Sequence, residues 1–270
     1  MPKVLSAPPY QIYNEDCFQT FARIPSASVD MVLCDPPYGT TACSWDSVIP
    51  LPDMWRELER IIKPVNAICI MATEPFTSAL ITSNLDLFKY RMTWLKTKVN
   101  GVVNAKLRPL KVTEDVCVFS KGATANGSDR NMVYNPQGVV ACAKTANLSS
   151  TKGVGYFRDN SPETWKQEQT NYPRDLISFP SEGLTHGHPT QKPVKLMDYL
   201  IRTYTNAGDT VLDFAMGSGT TGVAAMHLGR KFIGCDSDTT HGYFETAELR
   251  IKTAWRQAQQ KRPSIEPGRV

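Results

Sequence analysis

The chain has 270 residues, of which 41% are apolar and 21% are charged, and its formal net charge is +4. This composition supports one sizeable buried core and excludes disordered, collagen-like and disulfide-scaffold proteins. The absence of a run of about 18 apolar residues excludes a membrane-spanning helix, the N-terminus does not resemble a signal peptide, and seven scattered cysteines favour a reducing cytoplasm, that of a host if the source is viral.

The first half of the chain alternates short apolar runs with helical periodicities. Short, β-branched apolar runs predict buried strands, and apolar residues that recur every three or four positions predict helices. By these criteria, strands are expected at residues 29–34, 67–72 and 116–119, and helices at 51–63, where Pro64 would end the helix, and at 75–87.

The second half begins with a segment of different texture. Residues 121–189 are rich in Gly, Asn, Ser, Thr and Pro and predict an irregular insertion. Regular patterns then return, with helices at 193–205, after a glycine loop up to Gly229, and at 241–260, and with strands at 210–214 and 231–235. Strands that alternate with helices predict an α/β fold with a mostly parallel sheet covered on both faces.

A basic segment spans residues 89–111, which contain seven Lys or Arg residues and no acidic residue. Such a cluster is typical of surfaces that neutralise nucleic-acid phosphates, and it equally fits a solvated basic face. The candidates for phosphate contact within it are Lys96, Lys98, Lys106 and Arg108.

The glycine loop Gly217–Gly222 (GSGTTG) follows a predicted strand and opens a predicted helix. It fits the dinucleotide-binding pattern, and Asp236 stands 19 residues after Gly217, where a carboxylate can bind a ribose hydroxyl. Two alternatives are a nicotinamide-dependent oxidoreductase and a turn that serves packing alone. Because only 48 residues follow Gly222, a complete nicotinamide domain does not fit, and the ligand is expected to have a nucleoside end.

A second motif, Asp35-Pro36-Pro37-Tyr38, lies where the strand at 29–34 leaves the sheet. Ligands of open α/β sheets bind outside the carboxyl ends of strands. The prolines remove two N–H donors, which leaves an acceptor-rich corner suited to an exocyclic amine, and Tyr38 offers a flat face to an extruded base. The alternative is a proline turn that only ends the strand, with Tyr38 in packing.

In combination, these motifs carry a family resemblance. The segments NEDC (residues 14–17), DPPY (35–38), HPTQKP (188–193), VLDFAMGSGTTGVAA (211–225) and FIGCDSD (232–238) resemble the motifs of amino-group DNA methyltransferases. Their order, with the catalytic motif first and the cofactor motif last, is similar to that of the β group of this family.

The resemblance implies a circularly permuted, Rossmann-like fold that uses S-adenosylmethionine as methyl donor. It implies a catalytic half over residues 1–120, a target-recognition insertion over 121–187 and a cofactor-binding half over 188–270. It further implies methylation of adenine N6 in duplex DNA by base flipping, in the setting of restriction-modification, and it suggests a homodimer. Cytosine N4 is the alternative acceptor, and a catalytically silent DNA-binding protein is an alternative of another class.

The resemblance assigns site residues position by position. It gives the target base to Asp35, Pro36, Pro37 and Tyr38. It gives the cofactor to Asp16, Cys17, Thr190, Lys192, Asp213, Phe214, Gly217, Gly219 and Asp236. Within this set, Asp236 would bind the ribose, Asp16 and Cys17 would border the adenine, and Thr190 and Lys192 would reach the cofactor carboxylate, where a cation is favourable.

Three details qualify these assignments. The family usually has Phe two positions before the first glycine of the loop, where this chain has Ala215 with Phe214 beside it, and the family's ribose-binding acid is commonly Glu rather than Asp. His186 and His188 could suggest a metal, but no Cys or carboxylate accompanies them in sequence and methyl transfer from a sulfonium requires no metal, so none is expected.

Overall fold

The computed structural model describes residues 7–41, 43, 46–147, 164–182, 191–237 and 240–261. They fall into two compact units. The larger unit comprises the described residues up to Asn135 and from Asp175 onwards, and the smaller unit lies within Pro136–Arg174. Within the described residues, no helix is both long enough and apolar enough to cross a membrane.

The described residues form strands and helices in alternation. The strands are β1 Tyr10–Asn14, β2 Val29–Cys34, β3 Ile62–Ala72, β4 Phe88–Asn100, β5 Lys111–Phe119, β6 Val140–Asn147, β7 Thr164–Thr170, β8 Leu176–Ser178, β9 Thr210–Asp213 and β10 Lys231–Asp236. The helices are α1 Cys17–Arg23, α2 Leu51–Ile61, α3 Phe76–Ser83, α4 Val194–Tyr204, α5 Thr220–His227 and α6 Tyr243–Lys261, and a single 3₁₀ turn spans Val102–Asn104.

Eight of these strands form one sheet in the order β1-β10-β9-β2-β3-β5-β4-β8. The five strands from β1 to β3 are parallel, whereas β5 runs antiparallel to both of its neighbours. The two halves of the chain meet where β2 pairs with β9, with Met31 opposite Val211. From that junction the chain proceeds to β3 on one side and to β10 on the other, so the carboxyl ends of β2 and β9 flank a topological switch point.

Both faces of the sheet are covered, as the alternation of strands and helices predicted. One face packs against α4, α5 and α6, with Leu200, Ala224 and Ile251 in its core. The other packs against α1, α2 and α3, with Phe21 and Leu58 in its core. All six residues of β2 are buried, so this strand is held from both sides. Each large apolar side chain buried in this way contributes about 1.5 to 3 kcal/mol of transfer free energy.

Most predicted elements are present, with two corrections. Helix α2 ends at Ile61, and Pro64 lies inside β3 instead of ending the helix. The segment expected to be irregular contains β8, which joins the edge of the main sheet, and β6 and β7, which form an antiparallel pair. These strands are polar (VACAKTAN and TWKQEQT), so they lack the apolar alternation by which strands are recognised in a sequence.

The smaller unit contains the pair β6 and β7. Asn171 closes this unit locally, because its side-chain amide donates to the carbonyl of Gly138 at 2.7 Å. Residues 121–135, which were expected to belong to the insertion, pack with the larger unit, where the N–H of Val133 donates to the carbonyl of Val65.

Candidate active site

A cavity of about 820 Å³ opens at the switch point between β2 and β9. Its lining comes from both halves of the chain, with the proline motif from one half and the glycine loop from the other. A cavity of this volume accommodates a nucleoside-sized ligand together with part of a second molecule. The two motifs that the sequence singled out therefore share one site.

The proline motif forms one wall of this cavity. Asp35 follows the last residue of β2, Pro36 is buried, and Pro37 lines the cavity beside it. The hydroxyl of Tyr38 donates to Oδ1 of Asp35, and the ring of Tyr38 stacks on Phe76 with a centroid separation of 5.4 Å. Burial raises the pKa of Tyr38 well above its usual value, and the nearby Asp35 carboxylate adds to this effect. Tyr38 is therefore held as a neutral donor against Asp35.

Four charged side chains of alternating sign extend from Asp35 into the protein. The ammonium of Lys192 lies 2.6 Å from Oδ2 of Asp35 and 3.2 Å from Oε2 of Glu114. The ammonium of Lys96 lies 2.9 Å from the other oxygen of Glu114. The set has no net charge, which makes the burial of Lys96 and Lys192 tolerable.

The environment of this cluster favours the charged forms of Lys192 and Glu114. Burial alone would lower the pKa of Lys192, but Asp35 and Glu114 outweigh burial and raise it. Burial would raise the pKa of Glu114, but the two lysines outweigh burial and lower it. Each charge is therefore stabilised by its neighbours and not by water.

These contacts revise two sequence assignments. Lys96 was expected on a DNA-facing surface, but its side chain is 5% exposed because β4 turns it inward towards Glu114. Lys192 was expected at the cofactor carboxylate, but its ammonium contacts Asp35 and Glu114. A contact of Lys192 with the cofactor stays a prediction. Glu114 was not among the predicted site residues, although its stretch, residues 107–122, resembles one that amino-group DNA methyltransferases show near the base pocket.

A second residue missed from the sequence is Asp46, which organises the loop after the proline motif. Its carboxylate accepts the backbone N–H groups of the four consecutive residues 38–41, at distances between 2.6 and 2.9 Å. Burial raises the pKa of Asp46, but bonds from Thr41 and from these N–H groups outweigh burial and lower it. A single carboxylate thus fixes the backbone of residues 38–41. No sequence pattern predicts this role of Asp46.

The glycine loop forms the opposite wall. The N–H of Gly217 donates to Oδ2 of Asp236 at 2.8 Å, which ties the loop to the end of β10. Gly217 lines the cavity, as predicted, but Gly219 does not. Gly219 has a φ of +78°, and a Cβ there would lie 2.8 Å from the Cβ of Ala247. Gly219 therefore starts α5 and admits α6 at close range, and its contact with the cofactor stays a prediction.

Asp213 ends β9 at the base of the cavity and is 3% exposed. Its Oδ1 accepts the N–H of Ala215 at 3.2 Å. Burial raises the pKa of Asp213 to about 7, against the opposing bonds from Thr221, Ala215 and Cys34. A cation bound beside it would restore its charge, so this carboxyl suits a ligand that carries a positive group.

The remaining predicted cofactor residues lie along the same floor. Asp16 caps α1, with its Oδ1 accepting the N–H of Phe18, and it lines the cavity with Cys17. Strand β1 lies beside β10, which brings Asp16 to the same edge as Asp236. Phe214 borders the cavity, but its ring is 2% exposed and packs edge-on against Phe21, so it supports the wall from within the core.

This donor set fits S-adenosylmethionine. Asp236 lines the cavity with a carboxylate suited to a ribose hydroxyl, Asp16 lines it where the adenine is expected, and the buried Asp213 offers a carboxylate for a cationic group. Thr190, His186 and His188 lie outside the described residues. In the described part of the chain, no group of three or more His, Cys, Asp or Glu side chains is arranged to hold a metal ion.

The three remaining candidates for phosphate contact lie at or beyond the cavity mouth. Lys98 lines the cavity rim, whereas Lys106 and Arg108 do not line the cavity and lie on the exposed connection between β4 and β5.

Comparisons with known proteins agree with this geometry. A family model described as DNA methylase matches residues 29–248. The chain is 28% identical to the Type II methyltransferase M1.MboII of Moraxella bovis over 248 residues, which cover 86% of this chain and 93% of that protein. It is 29% identical to the DNA adenine methyltransferase YhdJ of Escherichia coli (strain K12), over 85% of this chain and 79% of that protein. Among solved structures, the M1.HpyAVI-SAM complex is similar with a TM-score of 0.58 and 25% identity, over 89% of this chain and 99% of that chain.

Proposed function

The chain belongs to the DNA methylase family, and from that membership we propose that it transfers a methyl group from S-adenosylmethionine to N6 of adenine in duplex DNA. The observation that carries the proposal is the shared cavity, in which Asp35 and Tyr38 face the glycine loop across the β2–β9 junction. A nicotinamide-dependent reaction is disfavoured by the family match. A catalytically silent protein is disfavoured by the presence of both walls of the site.

The acceptor corner supports attack by an exocyclic amine. When bound, S-adenosylmethionine supplies a methyl group on a positively charged sulfur, which is already activated for transfer. The protein therefore needs chiefly to position the amine nitrogen in line with that methyl group. Asp35 and the carbonyl of Pro36 accept the two amine protons, so that the nitrogen lone pair points at the methyl carbon. With the cofactor bound, the new N–C bond would form as the S–C bond breaks, and Asp35 would accept the proton that the amine then releases.

The contacts of Asp35 suit this task. A carboxylate has about four lone-pair sites, so contacts with Tyr38 and Lys192 leave capacity for the amine. Because Tyr38 contacts Oδ1 and Lys192 contacts Oδ2, the carboxylate of Asp35 presents its remaining lone pairs in a fixed direction. Fixing the geometry before the substrate arrives is how an active site lowers the barrier to a reaction between two bound molecules.

Adenine is favoured over cytosine by the DPPY form of the motif and by the similarity to YhdJ, which is named as a DNA adenine methyltransferase. Cytosine N4 would occupy the same corner with the same hydrogen bonds, so the product decides between the two bases. Sequence recognition is proposed to reside in the segment 121–187, which includes the smaller compact unit. The catalytic half is proposed over 1–120 and the cofactor half over 188–270.

The proposed function is tested by product analysis. The purified protein is incubated with methyl-labelled S-adenosylmethionine and unmethylated genomic DNA, and the DNA is digested to nucleosides. Label in N6-methyl-2′-deoxyadenosine supports the proposal, and label in N4-methyl-2′-deoxycytidine keeps the mechanism but changes the base. Absence of label, with the cofactor bound, contradicts DNA as the acceptor. The proposed homodimer is tested separately by light scattering with and without DNA.

A further inference from the structure

The connection between β4 and β5 exposes an unusual concentration of apolar side chains. Five of the thirteen exposed large hydrophobic residues in the described chain lie within residues 99–110. They are Val99, Val102, Val103, Leu107 and Leu110. Val103 is 98% exposed and Leu107 is 84% exposed. An isolated exposed apolar residue is ordinary, but a concentrated set marks an interaction surface.

This connection, residues 101–110, is a built turn. Gly101 adopts a left-handed φ of +85° and starts the 3₁₀ turn. The backbone N–H groups of Leu107 and Arg108 both donate to the carbonyl of Asn104, at 2.9 and 3.1 Å. At its end, the ammonium of Lys111 donates to the hydroxyl of Thr73 at 2.7 Å. The turn therefore presents Val103 and Leu107 to solvent on an ordered backbone.

Basic side chains surround these apolar residues. Lys98, Lys106 and Arg108 are exposed, and among the residues that the structure describes no carboxylate lies within ion-pairing distance of any of them. The sequence from 89 to 111 contains no acidic residue. Exposed apolar side chains surrounded by unpaired cations are complementary to a DNA duplex. The cations suit its phosphates, and the apolar side chains suit its stacked bases.

The turn also lies beside the candidate active site. Its two flanking strands supply Lys98, Asn100 and Lys111 to the rim of the cavity, and Lys96 and Glu114 to its interior. A base that enters this cavity leaves a gap in the duplex directly next to the cavity mouth. Extrusion of a base costs unstacking and unpairing energy, and an apolar side chain that fills the gap offsets part of that cost.

Resting on the proposed function, we propose that the 101–110 turn is a wedge that enters the duplex where the target base has left it. Val103 and Leu107 fill the vacated space, and Lys98, Lys106 and Arg108 hold the phosphates on either side. The wedge thereby lowers the cost of extrusion for a paired base. When the target base has no pairing partner and is already poorly stacked, extrusion costs little, so the wedge should have little effect on the rate.

This distinction defines the experiment. The recognition sequence is first read from genomic DNA methylated by the wild type. Two duplexes are then made, one with the target base normally paired and one with it opposite an abasic site. The wild type, a wedge variant (Val103→Ser with Leu107→Ser) and a control variant (Leu85→Ser with Leu249→Ser) are compared by kcat/KM on both. Both control residues are also large, apolar and exposed, at 63% and 67%, and they lie outside the turn and the site.

The wedge variant is expected to lose about tenfold or more in kcat/KM on the paired duplex and less than about threefold on the abasic duplex. Its affinity for S-adenosylmethionine should equal that of the wild type, which also shows that it is folded. Equal loss on both duplexes would overturn the inference, because the turn would then be a general DNA contact. The inference would also be overturned if the wedge variant changed its oligomeric state while its ratio of kcat/KM on the two duplexes equalled that of the wild type. The turn would then be a surface for a second copy of the chain.

Failure of the proposed function looks different. A wild type that methylates no DNA overturns that function and the wedge together. If the wild type is active and the wedge variant shows the same preference for the abasic duplex as the wild type, only the wedge is overturned.

Discussion

The ammonium of Lys192 lies 2.6 Å from Oδ2 of Asp35 and approaches the ring of Tyr38 at 5.8 Å from the ring centroid. Lys192 lies two residues before the start of α4, whereas Asp35 follows β2, so the contact joins the proposed cofactor half of the chain to the proposed catalytic half. Glu114 holds the same ammonium from β5. The orientation of the proposed acceptor carboxylate therefore depends on three separate elements.

Replacing Lys192 by Met separates its two suggested roles. If Lys192 positions Asp35, kcat should fall by about a hundredfold, while the Kd of S-adenosylmethionine changes less than about threefold. The acid limb of the kcat profile should move to higher pH, because Glu114 loses the cation that contributes most to lowering its pKa. Steady-state kinetics across pH and calorimetric cofactor titration measure both quantities.

Lys192→Arg is the matched control, since it retains the charge and should recover part of kcat. A large increase in cofactor Kd with unchanged kcat in Lys192→Met would contradict the positioning role and return Lys192 to the cofactor carboxylate. Because Lys192 is buried between two carboxylates, Lys192→Met should also reduce the free energy of unfolding by up to about 3 to 5 kcal/mol, measured by urea denaturation.

Replacing Asp35 by Ala should abolish methyl transfer, because the amine loses the side chain proposed to accept its protons. Cofactor affinity should be nearly unchanged, since Asp35 belongs to the opposite wall from the glycine loop.

Tyr38→Phe removes the hydroxyl that donates to Asp35 but keeps the ring that stacks on Phe76, and it should lower kcat by about tenfold. Single-turnover transfer and equilibrium cofactor binding test both variants, and a full transfer rate in Asp35→Ala would refute the mechanism.

The sequence predicted the fold and the two walls of the site because these depend on local patterns. The buried strand β2 and the motif Asp35–Tyr38 can be recognised from consecutive residues, as can the loop at Gly217. The contacts of Glu114 and Asp46 cannot be recognised, because each requires that residues distant in sequence be brought together by the fold. The burial of Lys96 was not predicted for a related reason: strand β4 alternates its side chains between buried and exposed, and a count of charges over the segment does not resolve this.

Asp46→Ala tests the loop after the proline motif. Loss of the carboxylate leaves the N–H groups of residues 38–41 without their acceptor, so Tyr38 is no longer held in position. We expect kcat to fall and the KM for DNA to rise, together lowering kcat/KM by about thirtyfold to a hundredfold, with unchanged cofactor affinity. Asp46→Asn keeps one acceptor oxygen and should fall between the wild type and Asp46→Ala; if all three are equally active, the loop does not depend on Asp46.

The salt dependence of DNA binding distinguishes the exposed cations from the buried one. Lys98→Gln, Lys106→Gln and Arg108→Gln should each reduce the slope of log K against log salt by about 1, because each removes one phosphate contact. Lys96→Gln should leave the slope unchanged, because Lys96 is buried against Glu114, but it should lower kcat. Fluorescence anisotropy over a range of salt concentrations measures the slopes, and a reduced slope in Lys96→Gln would place that residue on DNA after all.

The pKa of Asp213, which burial raises to about 7, makes cofactor binding sensitive to pH. A cationic ligand favours the ionised carboxylate, so binding should lower this pKa and release about one proton at pH 6. Affinity should accordingly increase by up to tenfold per pH unit below about pH 7 and level off above it. Calorimetry in two buffers of different ionisation enthalpy measures the proton release directly. Asp213→Asn should bind more weakly at pH 8 and lose the pH dependence, whereas a wild type whose affinity is constant from pH 5.5 to pH 8 would show that no cationic group of the cofactor approaches Asp213.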